Sequence, residues 1–356
     1  MMELTESQLE EIWNVRAKGE IFHDAVPSEH PVLVSIGAQP GAGKTATGKA
    51  VEKMYPETQF TVIDGDDFRQ YHPDFKALSS SPDPQAMPNE TAGISAWMIR
   101  RSIQHAGENG YSIRVEGTFR NPDVPLNTIR DFHEKGYETH MVAVGVPEAV
   151  SWQGCVTRYV DAVDTGRTPR WAPKSAHDAG YEGTPLTVEA AEAEPNVGRL
   201  TVMSRYGDVA YDNQRGSDGQ WVKPTGARNA LEDLRNHPPQ VMLNQFDAAQ
   251  SKLEEQSARL GLPQEVNSAI GQTRKMGETL HAQVGRTDTG VSVGTVRATG
   301  FAPTAAEGSV QARAAASFPD HMSAVPRPPK QTAQSEAARS AIRTPPGRTV
   351  PGRSGR

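Results

Sequence analysis

Val32-Leu33-Val34-Ser35-Ile36 is a short β-branched apolar run, and it leads into Ala38-Gln39-Pro40-Gly41-Ala42-Gly43-Lys44-Thr45. Ala46-Thr47-Gly48-Lys49-Ala50-Val51 then reads as the opening of a helix. A strand of this kind suits a parallel sheet, where both faces are buried. Strand, glycine-rich loop, Gly-Lys-Thr and helix in that order form the P-loop pattern, with Ala38 where the strict form has glycine. Each residue type has a physical reason. Gly41 and Gly43 let backbone N–H groups curl around phosphates with no Cβ in the way. The following helix adds its positive N-terminal end. Lys44 should reach the β and γ phosphates of a bound nucleotide, and the Thr45 hydroxyl is the candidate ligand for Mg²⁺. Gln39, Pro40 and Ala42 complete the candidate nucleotide-binding loop. The pattern points to nucleotide binding and no further, because NTPases, GTPases and small-molecule kinases all share it.

Similar apolar runs follow at Phe60–Ile63, Ile113–Val115 and Met141–Val146, with a weaker one at Leu200–Met203. Between them, Ala46–Met54, Ile94–Ala106, Leu126–Glu134 and Glu148–Val163 read as helices, and an N-terminal helix is expected over Leu4–Ile21. Alternation of this kind predicts an α/β fold, a P-loop kinase-like parallel sheet with helices on both faces. The expected domain occupies 1–240. Amphipathic spacing over 241–260 and a weaker helical stretch from Gln264 make 241–285 a helical extension. Composition sets off the remainder. Residues 286–356 carry ten Lys/Arg against four Asp/Glu, so that the preceding 285 residues hold −12 of the net −6. That basic tail is rich in Pro, Ala and Arg and is expected to be mostly disordered, since it cannot bury enough apolar area to offset its ordering entropy.

The second strand runs into Asp64-Gly65-Asp66-Asp67, and the third into Glu116-Gly117-Thr118-Phe119-Arg120. Ligands of such sheets sit outside the carboxyl ends of the strands, so these groups should face the phosphate loop. A carboxylate there can accept the proton of an attacking hydroxyl or hold a metal. Helix capping by one aspartate is also expected, but three in four positions exceed that need. Arg158, then Arg167, Arg170 and Lys174 on a Gly- and Pro-punctuated stretch, could form a cationic lid over a transferring phosphoryl group.

Together these motifs resemble the zeta toxin family of bacterial toxin–antitoxin systems, which are P-loop kinases. The resemblance rests on Gln39–Thr45, Ile63-Asp64-Gly65-Asp66 with His72-Pro73-Asp74-Phe75, Glu116-Gly117-Thr118, Gly136-Tyr137-Glu138-Thr139, Arg158-Tyr159 and Pro173-Lys174-Ser175-Ala176-His177-Asp178. It covers roughly residues 5–235. It implies ATP- and Mg²⁺-dependent phosphorylation of the 3′-hydroxyl on the amino sugar of UDP-N-acetylglucosamine. By position, Asp66 looks like the base for that hydroxyl, with Lys44, Arg158 and Arg170 as the other catalytic groups. Glu116, Thr118, Arg120 and Thr128 would lie at the sugar-nucleotide site. The family carries a glutamate where this chain has Arg100, which leaves open an effector-type kinase that phosphorylates the adenosine ribose of NAD. A different class also stays open, a nucleotide-binding module whose tail engages a partner.

Toxin activity would further imply a small antitoxin partner. Cys155, the single cysteine, excludes an internal disulfide framework and reads as a small core residue. His177 reads equally as a lid or phosphate ligand and as a structural histidine. No secretory signal or membrane span is evident, so a cytoplasmic protein is expected, although the tail would also suit export or tethering. The tail lacks interleaved aromatics, and no nucleic-acid partner is expected.

Overall fold

The computed structural model describes residues 4–288, with side chains through 285. The tail expected over 286–356 therefore lies outside the described residues, apart from the helix end at Asp288.

Six strands form one sheet: β1 Val32–Gly37, β2 Thr61–Asp64, β3 Ile113–Gly117, β4 Glu138–Gly145, β5 Arg199–Ser204 and β6 Val209–Gln214. Their order is β2-β3-β1-β4-β5-β6; the first five are parallel and β6 runs antiparallel to β5. All six residues of β1 are buried, as the uninterrupted apolar run requires. The chain leaves β1 toward β2 and β3, then returns to its other side for β4. The loop after β1 therefore sits at the switch point where such sheets open a crevice. Register aligns the neighbouring strand ends: Gly37 pairs with Gly117, and Asp64 pairs with Glu116.

Flanking helices include Lys44–Met54, Ala92–Asn109, Asp123–Glu134, Glu148–Asp164, Lys174–Ala193 and Ala227–Asn236. Helices Gln240–Arg259 and Gln264–Asp288 pack on Glu148–Asp164. Met242, Leu243, Phe246 and Leu280 join the core that contains Val34, Val142 and Val144. Leu253, Leu262, Val266 and Ile270 surround Trp152, Val156 and Tyr159. At about 1.5–3 kcal/mol per fully buried large apolar side chain, these contacts make the C-terminal helices part of the main core.

Several elements differ from the periodicity reading. The N-terminal helix begins with a Thr5–Gln8 capping box at Glu6–Ile12, passes through a π-helical turn at Trp13–Ala17 and ends at Lys18–Ile21. β4 starts three residues before Met141. Its first positions are polar, yet His140 is fully buried and its Nε2 lies 2.7 Å from Thr201 Oγ1. β6 has no apolar run, because an edge strand needs little burial; Asp212 anchors it by accepting two bonds from Arg199 at 2.8 Å. Lys174–Ala193 is one long helix that tolerates Pro185 inside it.

Candidate active site

The loop after β1 is shaped by crowding as much as by backbone freedom. Gly41 and Gly43 have φ of 77° and 105°, the left-handed region that disfavours a side chain. A Cβ on Gly41 would stand 2.0 Å from Ser151 O, and one on Gly43 would stand 3.0 Å from Arg205 O. Gly154 mirrors this from helix Glu148–Asp164, where a Cβ would lie 2.9 Å from Gly41 O. A glycine is therefore required on both sides of this contact. Lys44 and Thr45 open the next helix and line the cleft, with Lys44 Nζ donating to Ala38 O at 3.4 Å. Loop glycines, a lysine, a hydroxyl and a helix N-terminus make a fitting cradle for a polyphosphate and its cation.

The loop opens onto a cleft of about 300 Å³, at the lower end of the range for small-molecule sites. Pro40, Gly41, Gly43, Lys44 and Thr45 form one wall; Asp64, Asp66, Glu116 and Thr118 stand at the ends of β2 and β3; Arg158 and Arg170 come from the opposite side. Asp64 caps the short helix Gly65–Phe68 by accepting from Asp66 N at 2.9 Å, which turns the Asp66 side chain into the cleft. Asp66 meets Arg69 Nε at 3.2 Å and Arg158 Nη1 at 3.6 Å. Arg170 Nη1 stands 3.3 Å from Asp67.

These contacts drive the two cleft carboxyls apart. Burial alone would lift Asp66, but the charges of Arg69, Arg158, Arg170 and Lys44 outweigh it and hold the carboxyl below the usual range. Burial, then the charges of Asp66 and Glu116, push Asp64 up to about 7. One group is thus held as an anion while its neighbour is pushed toward the protonated form, the separation on which acid–base assignments rest.

Not every residue singled out from sequence reaches this cleft. Gln39 and Ala42 are fully buried beneath the loop. Thr128 is buried on helix Asp123–Glu134, where its hydroxyl donates to Val124 O, so it is directed into its own helix rather than toward a ligand. Arg120 does not line the cleft; its backbone packs where Gly183 lacks a Cβ. Lys174 is no lid cation, because it pairs with Glu148 at 3.0 Å and with Asp178. Arg167 is exposed and donates to Thr165. Arg100 is also absent from the cleft lining, because its helix directs Ser95 and Ile99 at Gly65. Cys155 is buried behind Gly41, and burial pushes its thiol up to about 11.

Two groups escaped the sequence reading. Arg69 is buried, fixed by Pro88 O and Thr91 Oγ1 at 2.9 Å each while it faces Asp66. Its partners lie about twenty residues downstream, and no local pattern announces them. The other is a ring of side chains around Gln39. Gln39 Nε2 donates to Ser151 Oγ at 3.1 Å, and His177 Nε2 lies 2.9 Å from the same oxygen. The His177 and Tyr181 rings are parallel, and the Arg235 guanidinium sits 3.9 Å from the Tyr181 ring centre. Arg235 Nη2 returns to Gln39 Oε1 at 3.5 Å and closes the circuit. His177 is therefore a structural histidine, its Nδ1 facing Asp178 and its basicity lowered by burial.

The zeta toxin family model matches residues 18–216, which is more than half of the chain and includes every cleft residue named above. The chain belongs to the zeta toxin family. Toxin zeta of Enterococcus hirae is 30% identical over 245 residues, covering 64% of this chain and 84% of that protein. Toxin zeta of Streptococcus pyogenes is 29% identical over 273 residues, covering 71% and 93%. A solved structure from the PezAT chromosomal toxin–antitoxin system of Streptococcus pneumoniae shares the fold, with a TM-score of 0.60 at 22% identity over 72% of this chain and 98% of that one. The family match ends near β6, so that helix Ala227–Asn236 and the two C-terminal helices lie beyond it in this zeta toxin relative.

Proposed function

We propose that this zeta toxin family member is an ATP-dependent kinase that phosphorylates a sugar hydroxyl of a nucleotide sugar, with UDP-N-acetylglucosamine as the leading acceptor, and acts as a toxin. The observation that carries the reading is the meeting of Asp66 with Lys44, Arg158 and Arg170 in one cleft at the phosphate loop. Gly41, Gly43 and Lys44 hold the triphosphate. Asp66 accepts the proton of the attacking hydroxyl, and Arg158 and Arg170 spread the charge of the phosphoryl group in flight. Mg²⁺ brought with ATP would be held by Thr45 and would neutralise phosphate charge. Glu116 and Thr118 stand on the acceptor side and are the groups available to orient a sugar.

Such chemistry in the cytosol calls for restraint, and a small antitoxin is the partner this reading implies. The acceptor is tested by incubating the purified chain with ATP, Mg²⁺ and separate nucleotide sugars and dinucleotides. A mass gain of one phosphoryl group on UDP-N-acetylglucosamine is the expected result. A gain on NAD instead would transfer the activity to the adenosine ribose, and phosphorylation of neither class would sink the acceptor assignment.

A further inference from the structure

The sheet order gives the cleft two ends. The phosphate loop stands at β1, the acceptor-side carboxylates stand on β2 and β3, and β5 lies on the opposite flank beyond β4. A triphosphate whose transferring end points to Asp66 therefore directs its other end toward β5. The residue at that end is Arg205, first in the turn between β5 and β6, and it lines the cleft.

This turn is firmly built. Ser204 N donates to Asp208 O at 2.8 Å, and Ser204 Oγ donates to Asp208 Oδ2 while accepting from Tyr206 N and Asp208 N. Two close approaches clamp it to the phosphate loop and its helix. A Cβ on Gly43 would meet Arg205 O at 3.0 Å, and one on Gly207 would meet Ala50 Cβ at 3.0 Å. The loop and turn thus share one fixed position.

Arg205 differs from the other arginines of the cleft in its charge balance. Arg69 and Arg158 face Asp66, and Arg170 faces Asp67. Among the described residues no carboxylate pairs with Arg205, and burial lowers its basicity. A half-buried guanidinium without an anion is costly unless a ligand supplies one.

Resting on the kinase reading, we infer that Arg205 is a further nucleotide-binding residue, supplying the cation for the phosphate nearest the nucleoside. It touches the end of the triphosphate that stays behind, so it contributes to nucleotide affinity more than to the transfer step.

Calorimetric titration of the full chain and of Arg205→Met, Arg205→Gln and Arg205→Lys with ATP and with inorganic tripolyphosphate tests this. Loss of one charge-assisted contact predicts on the order of tenfold weaker binding of both ligands by the Met and Gln variants. The Lys variant should recover most of it. With acceptor present, KM for ATP should rise by a similar factor while kcat stays within about threefold, a split that general loosening of the fold would not produce. Unchanged affinity in folded Met and Gln variants would overturn the assignment. Weakened ATP binding with unchanged tripolyphosphate binding would move the contact to the base and overturn the phosphate role. If the unaltered chain bound neither ligand, the kinase reading itself would fall.

Discussion

The two flanks of the phosphate loop handle charge in opposite ways. On the β2–β3 flank, Asp66 and Asp67 meet Arg69 and the arginines Arg158 and Arg170 that reach across the cleft, so each of these cations faces a carboxylate of the protein. On the β5 flank, Arg205 has Tyr206 beside it and no carboxylate partner among the described residues. Internal balance fixes side chains in place before any ligand arrives, which is what a transferring site needs. An unbalanced cation instead leaves its stabilisation to the ligand, which favours binding.

The largest effect should come from removing the anion at the centre of the balanced flank. Asp66→Asn is expected to lower phosphotransfer by about 10²–10⁴-fold, the usual worth of a positioned general base, while ATP binding measured by titration is retained. Equal turnover in that variant would remove Asp66 as the base. Lys44→Ala should touch both flanks, because in the proposed function the lysine holds the phosphates directly. It should depress ATP affinity and turnover together, visible as a raised KM and a lowered kcat. Arg205→Met should change affinity alone, and a comparable loss of kcat would erase the proposed division between flanks.

A smaller and quieter effect concerns Asp64. Its carboxyl is raised from 3.8 to about 7 in the folded chain. Between those values the unfolded chain gives up the proton while the folded chain keeps it, so this group's contribution to stability falls as pH rises through that window and levels off above it. Asp64→Asn keeps an acceptor for the Asp66 N–H cap and removes the titration. Denaturant midpoints from about pH 4 to 7 should therefore decline less in the variant than in the parent chain. Parallel curves would show that Asp64 titrates normally. Asp66, held low by its cations, should remain ionised across the same window and contribute no fall in activity there.

How much of this was legible beforehand follows from where each partner lies in the chain. The phosphate loop, the parallel sheet and Asp66 depend on contiguous residues, so pattern alone reached them. Asp66 is turned inward by Asp64 two positions earlier, a signal confined to one turn. Arg69, Arg205 and the Gln39 ring depend on partners brought together by the sheet and the later helices, and a single sequence carries no period for that. Position matching misjudged Thr128, because a threonine on an amphipathic helix can as well face the core. Lys174 looked like a lid cation because its spacing was right, but Glu148 and Asp178 were close enough to claim it.

The closed ring around Gln39 bears on how little of the chain can be dispensed with. Its members come from β1's loop and from three helices, and the last of them, Arg235, follows the region matched by the family model. Cutting at residue 216 would leave every cleft residue present and every motif intact, yet Gln39 would lose one of its two tethers. The stack of half-buried Tyr181 on buried His177 would be uncapped as well. The smallest working unit is therefore longer than its recognisable motifs. In the full chain, Arg235→Met should therefore weaken ATP binding although every cleft residue and motif is retained.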